Sequence, residues 1–351
     1  MDRGTRRDPT LAPCLQRRRP DYPRGGVSVF RLSSVDSSIS VDRIAEAAEV
    51  IDPAFRDTPQ FVSEPLSVRL GMTTVLKVET VNPVRSFKGR GADYLLHRLG
   101  SQPAGLVCAS AGNFGQGMAY AARKRGIRIT VFAALTANPL KVDRMRALGA
   151  NVILEGEDFD EAKDCALRHA TESGALYVED GLLGPIAEGA GTIAAELGRM
   201  RDPLDACVVP LGNGSLINGM GLWLKRFSPS TTVIAVCPAG APAMFMSWHA
   251  GKPVSTEAID TIADGIAVRV PVPEALEVMR AAVDDAMLVS DSEIVEAMRW
   301  LHRDEGLVVE PAGAAGIAAL TKLRGELAGK RVAVPLTGGN VTEEQLRTWL
   351  G

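Results

Sequence analysis

From residue 75 onward, short apolar runs alternate with stretches whose apolar residues recur at helical spacing, and this alternation limits the fold more than any other feature of the chain. Strands are predicted over 105–109, 129–133, 152–154, 206–211, 232–236 and 331–336, after an extended stretch at 75–79. Helical periods lie between them, over 116–125, 139–148, 159–172, 191–199, 216–227, 291–302 and 314–323. Strands separated by helices return parallel to one another, so the expected class is α/β, with open, mostly parallel sheets covered by helices. No fixed-period repeat and no long linker divides the sequence. At 351 residues with 46% hydrophobic content the chain can bury a substantial core, and two lobes of one unit are expected.

Ligands of such sheets bind outside the carboxyl ends of the strands, so the loops there carry the chemistry. Lys88 lies in Ser86-Phe87-Lys88-Gly89-Arg90-Gly91, at the mouth of a predicted helix that follows 75–79. A partly desolvated lysine amine has a lowered pKa and can form a Schiff base with a carbonyl compound. The run 206–211 ends in Gly212-Asn213-Gly214-Ser215-Leu216, where glycines admit a close ligand and the helix start offers free N–H groups, the form of a phosphate cradle. It is not a Walker loop, and the third glycine of a dinucleotide fingerprint is replaced by Ile217. A further loop, Ser110-Ala111-Gly112-Asn113-Phe114, opens a helix and suits a carboxylate. Thr337-Gly338-Gly339-Asn340 and Glu310-Pro311 bring a hydroxyl and a carboxylate to similar junctions. Each loop alone also reads as an ordinary capped turn, and Lys88 alone as a solvated surface lysine.

Together and in this order the segments resemble the pyridoxal-phosphate enzymes of fold type II, the tryptophan-synthase-β group. The resemblance is greatest to the threonine/serine dehydratase and serine racemase branch. It spans about 58–341 and includes Thr58-Pro59, Leu66-Ser67, Lys77-Val78-Glu79, the Lys88 motif, Ser110 to Asn113, Gly189 to Ile193, Thr261 to Gly265 and Glu310-Pro311. By this likeness Lys88 binds the cofactor's aldehyde and then handles the Cα proton. Asn113 adjoins the cofactor's 3-hydroxyl, Gly212, Asn213, Gly214, Ser215 and Leu216 hold its phosphate, and Thr337 bonds the pyridine nitrogen. Phe87 and Glu310 complete the cofactor contacts, and Ser110, Ala111, Gly112, Asn113 and Phe114 receive the substrate carboxylate. A neutral hydroxyl at the ring nitrogen tempers the electron sink and favours elimination over transamination.

The implied activity is β-elimination from a small β-hydroxy amino acid such as threonine or serine, giving a 2-oxo acid and ammonia. Racemases of the branch carry a second serine where this chain has Ala111, so one-base elimination is favoured. Phe114 replaces the usual histidine, and Asn213 and Ser215 interrupt the usual glycine run, which keeps a β-replacement or threonine-synthase-like enzyme open. A non-catalytic cofactor-binding sensor is the rival of another class. The branch often binds a divalent cation through a glutamate and an aspartate after the strand over 232–236; Cys237 and Ala243 stand there, so no metal is expected. The resemblance also implies a homo-oligomer, most simply a dimer, with 102–177 a small mobile domain inserted into a larger one made of 41–101 and 178–351.

A net charge of −3 and no basic patch interleaved with aromatics leave nucleic-acid binding without its footprint. No apolar run approaches the ~18 residues of a membrane span. Five scattered cysteines, Cys14, Cys108, Cys165, Cys207 and Cys237, fit a reducing cytoplasm. His97, His169, His249 and His302 lack metal-ligand spacing. The arginine- and proline-rich start has no apolar signal core, and 1–40 is expected to be a disordered extension. With ten residues after 341, the regulatory module of biosynthetic threonine dehydratases is not expected in this sequence.

Overall fold

The structure, a computed structural model, describes residues 38–100 and 103–351. In chain order the strands are β1 (Gln60–Ser63), β2 (Thr73–Val78), β3 (Leu106–Ala109), β4 (Ile129–Ala133), β5 (Asn151–Leu154), β6 (Leu176–Tyr177), β7 (Ala206–Pro210), β8 (Thr232–Pro238), β9 (Asp285–Val289) and β10 (Arg331–Leu336). The helices are α1 (Val41–Val50), α2 (Glu64–Leu70), α3 (Lys88–Arg98), α4 (Asn113–Lys124), α5 (Pro139–Ala147), α6 (Phe159–Ser173), α7 (Gly184–Leu197), α8 (Ser215–Phe227), α9 (Ala243–Ala250), α10 (Pro273–Ala282), α11 (Asp291–Glu305), α12 (Pro311–Lys322) and α13 (Glu343–Leu350).

The large sheet runs β1-β2-β10-β7-β8-β9 and is parallel except for β1, which pairs antiparallel with β2. Its inner strands are apolar on both faces, as burial between two helix layers requires. Along β7, Ala206 and Val208 face one core cluster while Cys207 and Val209 face the other. The first cluster takes its helical side chains from α2, α11 and α12, and the second from α7, α8, α9 and α10. Each fully buried aliphatic side chain contributes roughly 1.5–3 kcal/mol, so packing on both faces outweighs the propensities of these short strands. The small sheet, β5-β4-β3-β6, is wholly parallel and comes from residues 106–177. One of its faces packs against α3 and α4, the other against α6.

The α/β expectation holds, with parallel sheets under helices. Boundaries moved where glycine hides a helix: α4 begins at Asn113 rather than 116, and α7 at Gly184 rather than 191. α7 is buried almost all round, so it presents no polar stripe to read. Edge strands β1 and β9 and the short β6 were not predicted, because partly exposed edges carry weak apolar signals. Helices α1, α2, α9, α10 and α13 were likewise missed. Cys14 and most of the arginine-rich start lie outside the described residues, but Ser40, expected in a disordered extension, belongs to the fold: its N–H donates to Glu188 Oε1 at 2.9 Å.

A buried charge network fixes the start of α3. Arg90 donates to Glu79 Oε2 through Nε at 2.9 Å, to Thr192 Oγ1 through Nη1 at 2.8 Å and to Thr58 Oγ1 through Nη2 at 3.0 Å. Lys77 Nζ reaches Glu196 Oε2 at 2.5 Å and the Thr58 carbonyl at 2.7 Å. Burial alone would strip the charge from Arg90, but Glu79 and Glu196 hold its pKa above the ordinary arginine value. Each charge has a partner, as burial demands.

Candidate active site

Lys88 is the first residue of α3, and its side chain is only 14% exposed. Its Nζ donates to Asp180 Oδ2 at 2.6 Å and to Ser215 Oγ at 3.4 Å. It also lies 4.7 Å from the ring centroid of Phe87. The turn before it is stitched to the end of β10: the Phe87 N–H donates to the Thr337 carbonyl at 3.1 Å, and Ser86 bridges to Gly338. The turn that carries Lys88 and the residues that follow β10, remote in sequence, are therefore adjacent at the carboxyl end of the large sheet.

The predicted cradle is the turn from β7 into α8. Gly214 adopts φ +93°, a left-handed conformation that glycine takes without strain, and the helix opens at Ser215 with its first-turn amides free of intrahelical partners. A Cβ at Gly212 would stand 3.2 Å from the Gly265 carbonyl, so a side chain there would crowd the loop. Ser215 and Leu216 are buried, while Asn213 is half-buried.

The asparagine loop is positioned by its own serine. Ser110 Oγ accepts from the N–H groups of Gly112 at 3.2 Å and Gly115 at 2.9 Å, which caps the start of α4. Its hydroxyl is thus engaged within the loop, and Ala111 and Gly112 offer only backbone. Phe114 is 5% exposed and belongs to a core cluster with Met118 and Met145. Asn113 Nδ2 donates to Glu310 Oε1 at 2.5 Å, and Asn113 Oδ1 accepts from Asn340 Nδ2 at 2.8 Å. Glu310, the residue before α12, also accepts from the Asn340 N–H at 3.1 Å. Burial pushes the Glu310 carboxyl above the usual range; Lys141 pulls it back and Asp264 adds to the rise.

Several residues at the cleft carried no signal in the sequence. Asp180, in the loop after β6, contacts Lys88 across 92 positions. Lys141 of α5 is 3% exposed and pairs with Asp264 at 2.5 Å. Its Nζ would stand 3.9 Å from a Cβ placed on Gly112, which puts a cation beside the asparagine loop. Arg144, also on α5, donates to Asn340 Oδ1. Burial, and then Arg85 nearby, lower the Arg144 pKa from its ordinary value. These side chains meet only through tertiary folding, so no local motif announces them.

The residues fit pyridoxal phosphate. An amine, a glycine-lined helix start and a hydroxyl converge: the Thr337 side chain is 4% exposed and its hydroxyl makes no hydrogen bond among the described residues, leaving it free for a ring nitrogen. Lys88 could take the aldehyde, residues 212–216 the phosphate, and Asn113, held by Glu310 and Asn340, the 3-hydroxyl.

The family described as "Pyridoxal-phosphate dependent enzyme" matches residues 51–338. Over 306 residues the chain is 37% identical to an L-threonine ammonia-lyase of Thermotoga maritima, covering 86% of this chain and 76% of that one. Among solved structures, processed threonine deaminase isoform 2 of Solanum lycopersicum superposes with a TM-score of 0.81 at 30% identity, over 89% of this chain and 94% of that one. Maize serine racemase gives 0.82 at 28% identity, over 88% and 96%. This chain belongs to the pyridoxal-phosphate-dependent enzymes.

Proposed function

We propose that this protein is a pyridoxal-phosphate-dependent ammonia-lyase that eliminates the β-hydroxyl of a small amino acid, threonine or serine, to yield a 2-oxo acid and ammonia. The observation that carries the reading is the position of Lys88 Nζ, 3.4 Å from Ser215 Oγ at the start of α8, which joins the amine to the phosphate cradle. Its support from relatives is the likeness to threonine ammonia-lyase and threonine deaminase.

When bound, the cofactor withdraws electrons from the substrate's α-carbon. In its neutral form the Lys88 amine would accept the Cα proton, and Asp180, 2.6 Å away, would pair with the ammonium so formed. The first-turn amides of α4 and the nearby Lys141 ammonium receive the α-carboxylate. Ala111 supplies no second base, so proton return from the opposite face is disfavoured. Loss of the Cα proton and the β-hydroxyl releases an enamine, whose hydrolysis consumes water and gives the 2-oxo acid and ammonia.

In this reading Thr337 keeps the ring nitrogen only hydrogen-bonded, and residues 102–177 close as a small lobe on the body formed by 41–101 and 178–351. Lys141 with Asp264, and Asn113 with Glu310, would hold the closed state. A cytoplasmic homodimer is the matching assembly, on the family resemblance and on the buried thiols of Cys108, Cys207 and Cys237. The test is 2-oxo acid formation from serine or threonine alone. Turnover that appears only with an added nucleophile would replace elimination with β-replacement. Binding without any turnover would leave a sensor.

A further inference from the structure

We infer that Asp180 reads the group leaving the substrate's β-carbon and selects one that donates a hydrogen bond, such as a hydroxyl, over phosphate or acyl leaving groups. The inference rests on elimination at Lys88 as proposed above, and it names the residue that sets the substrate class.

Asp180 is placed with little freedom. It follows β6 at the carboxyl edge of the small sheet, and the next residue, Gly181, adopts φ +87°. A Cβ at Gly181 would stand 2.7 Å from the Asn213 carbonyl oxygen, so the loop lies directly on the cradle. Asp180 Oδ2 accepts from Lys88 Nζ at 2.6 Å, with both side chains 14% exposed. Its other oxygen, Oδ1, is buried and has no hydrogen-bond partner among the described residues. A buried acceptor left unpaired is destabilising, so a second role for it is worth seeking.

Substrate geometry supplies that role. The amine that removes the Cα proton must approach the α-carbon, and the β-carbon is one bond further on. A β-substituent therefore comes within reach of the carboxylate already touching Lys88. An ionised carboxylate only accepts hydrogen bonds. A β-hydroxyl satisfies it; an O-acyl group offers only acceptors, and a phosphate adds like charge. The charges of the cleft divide accordingly, with Lys141 and Arg144 on the asparagine-loop side and Asp180 on the side of Lys88 and Ser215. The neighbouring Cys108 thiol offers Asp180 no competing charge, since burial, reinforced by Asp180, pushes it up to about 12.

An Asp180 that merely anchored its loop or neutralised Lys88 would affect all substrates alike, and this separates the readings. The experiment compares holoenzyme and Asp180→Asn for L-serine and O-acetyl-L-serine, with kcat/KM from 2-oxo acid formation and Kd from the change in cofactor absorbance. Asp180→Asn removes the Lys88 counter-charge for both substrates, so both lose activity, but kcat/KM for serine should fall roughly 10- to 100-fold further than for O-acetyl-L-serine, and the preference ratio and the ratio of the two Kd values should fall by that factor. Equal losses for both substrates would overturn the proposal. Asp180→Ser, which removes the charge in a smaller side chain, gives the same discrimination should the asparagine variant not fold. If the wild-type protein forms no 2-oxo acid from either compound, elimination itself fails, and the ratio of the two Kd values still decides what Asp180 selects.

Discussion

Arg90 Nη1 donates to Glu196 Oε1 at 2.6 Å, with neither side chain more than 4% exposed, and this contact sits two residues beyond the lysine on which the proposed chemistry depends. Removing one member of a buried ion cluster strands its partners. Arg90→Leu leaves Glu79 and Glu196 sharing Lys77, and a loss of about 3–5 kcal/mol is expected in chemical denaturation. Arg90→Lys keeps the charge but loses the planar fork that reaches both carboxylates and both threonines, so it should recover only part of the stability.

Gly338 lies at the same junction, two residues after β10 ends. A Cβ there would lie 2.3 Å from Glu310 Oε1 and 3.0 Å from Asn113 Nδ2. Gly338→Ala should therefore displace Glu310 and the Asn113 carboxamide proposed to hold the cofactor, at roughly 1–3 kcal/mol of strain. Titration of the apoprotein with pyridoxal phosphate checks this: weaker occupancy with an unchanged fold is expected, and wild-type affinity would contradict the placement.

Thr337→Asp tests the ring-nitrogen contact. A carboxylate raises the proton affinity of the pyridine nitrogen and deepens the electron sink. The variant should form transamination products beside the 2-oxo acid. An unchanged product profile would count against Thr337 at that nitrogen.

Asp52 gives a pH dependence with a defined sign. Burial alone would raise its carboxyl pKa, but hydrogen bonds from Lys124, the Ala54 N–H and Tyr120 outweigh burial and hold it below the ordinary value. The stabilisation is present above the unfolded value of 3.8 and is lost as pH falls through the lower native value. Lys124 is half-exposed, so screening limits the pair to about 0.5–1 kcal/mol. Thermal melts of Asp52→Asn should show that deficit at neutral pH and convergence with wild type in acid.

Local features were readable from the chain and long-range ones were not. The Lys88 motif, the cradle at 212–216 and Thr337 stand out because each turn needs its residues side by side. Asp180, Lys141 and Arg144 reach the cleft through contacts spanning 92, 123 and 196 positions, which no window of sequence displays. Phe114 is a different case: its position in the loop suggests a ligand contact, and the residue is 5% exposed within a cluster that includes Met118 and Met145. The resemblance in Thr58, Lys77, Glu79 and Thr192 becomes physical only once all four meet Arg90 or its partners.

The most direct test is the absorbance spectrum of Lys88→Ala beside its circular dichroism. Wild-type protein loaded with pyridoxal phosphate should absorb near about 410 nm and turn over its amino acid. The variant should lose that band and all turnover while keeping its secondary structure. A variant that retains both band and turnover would show that the nitrogen at position 88 does not carry the chemistry.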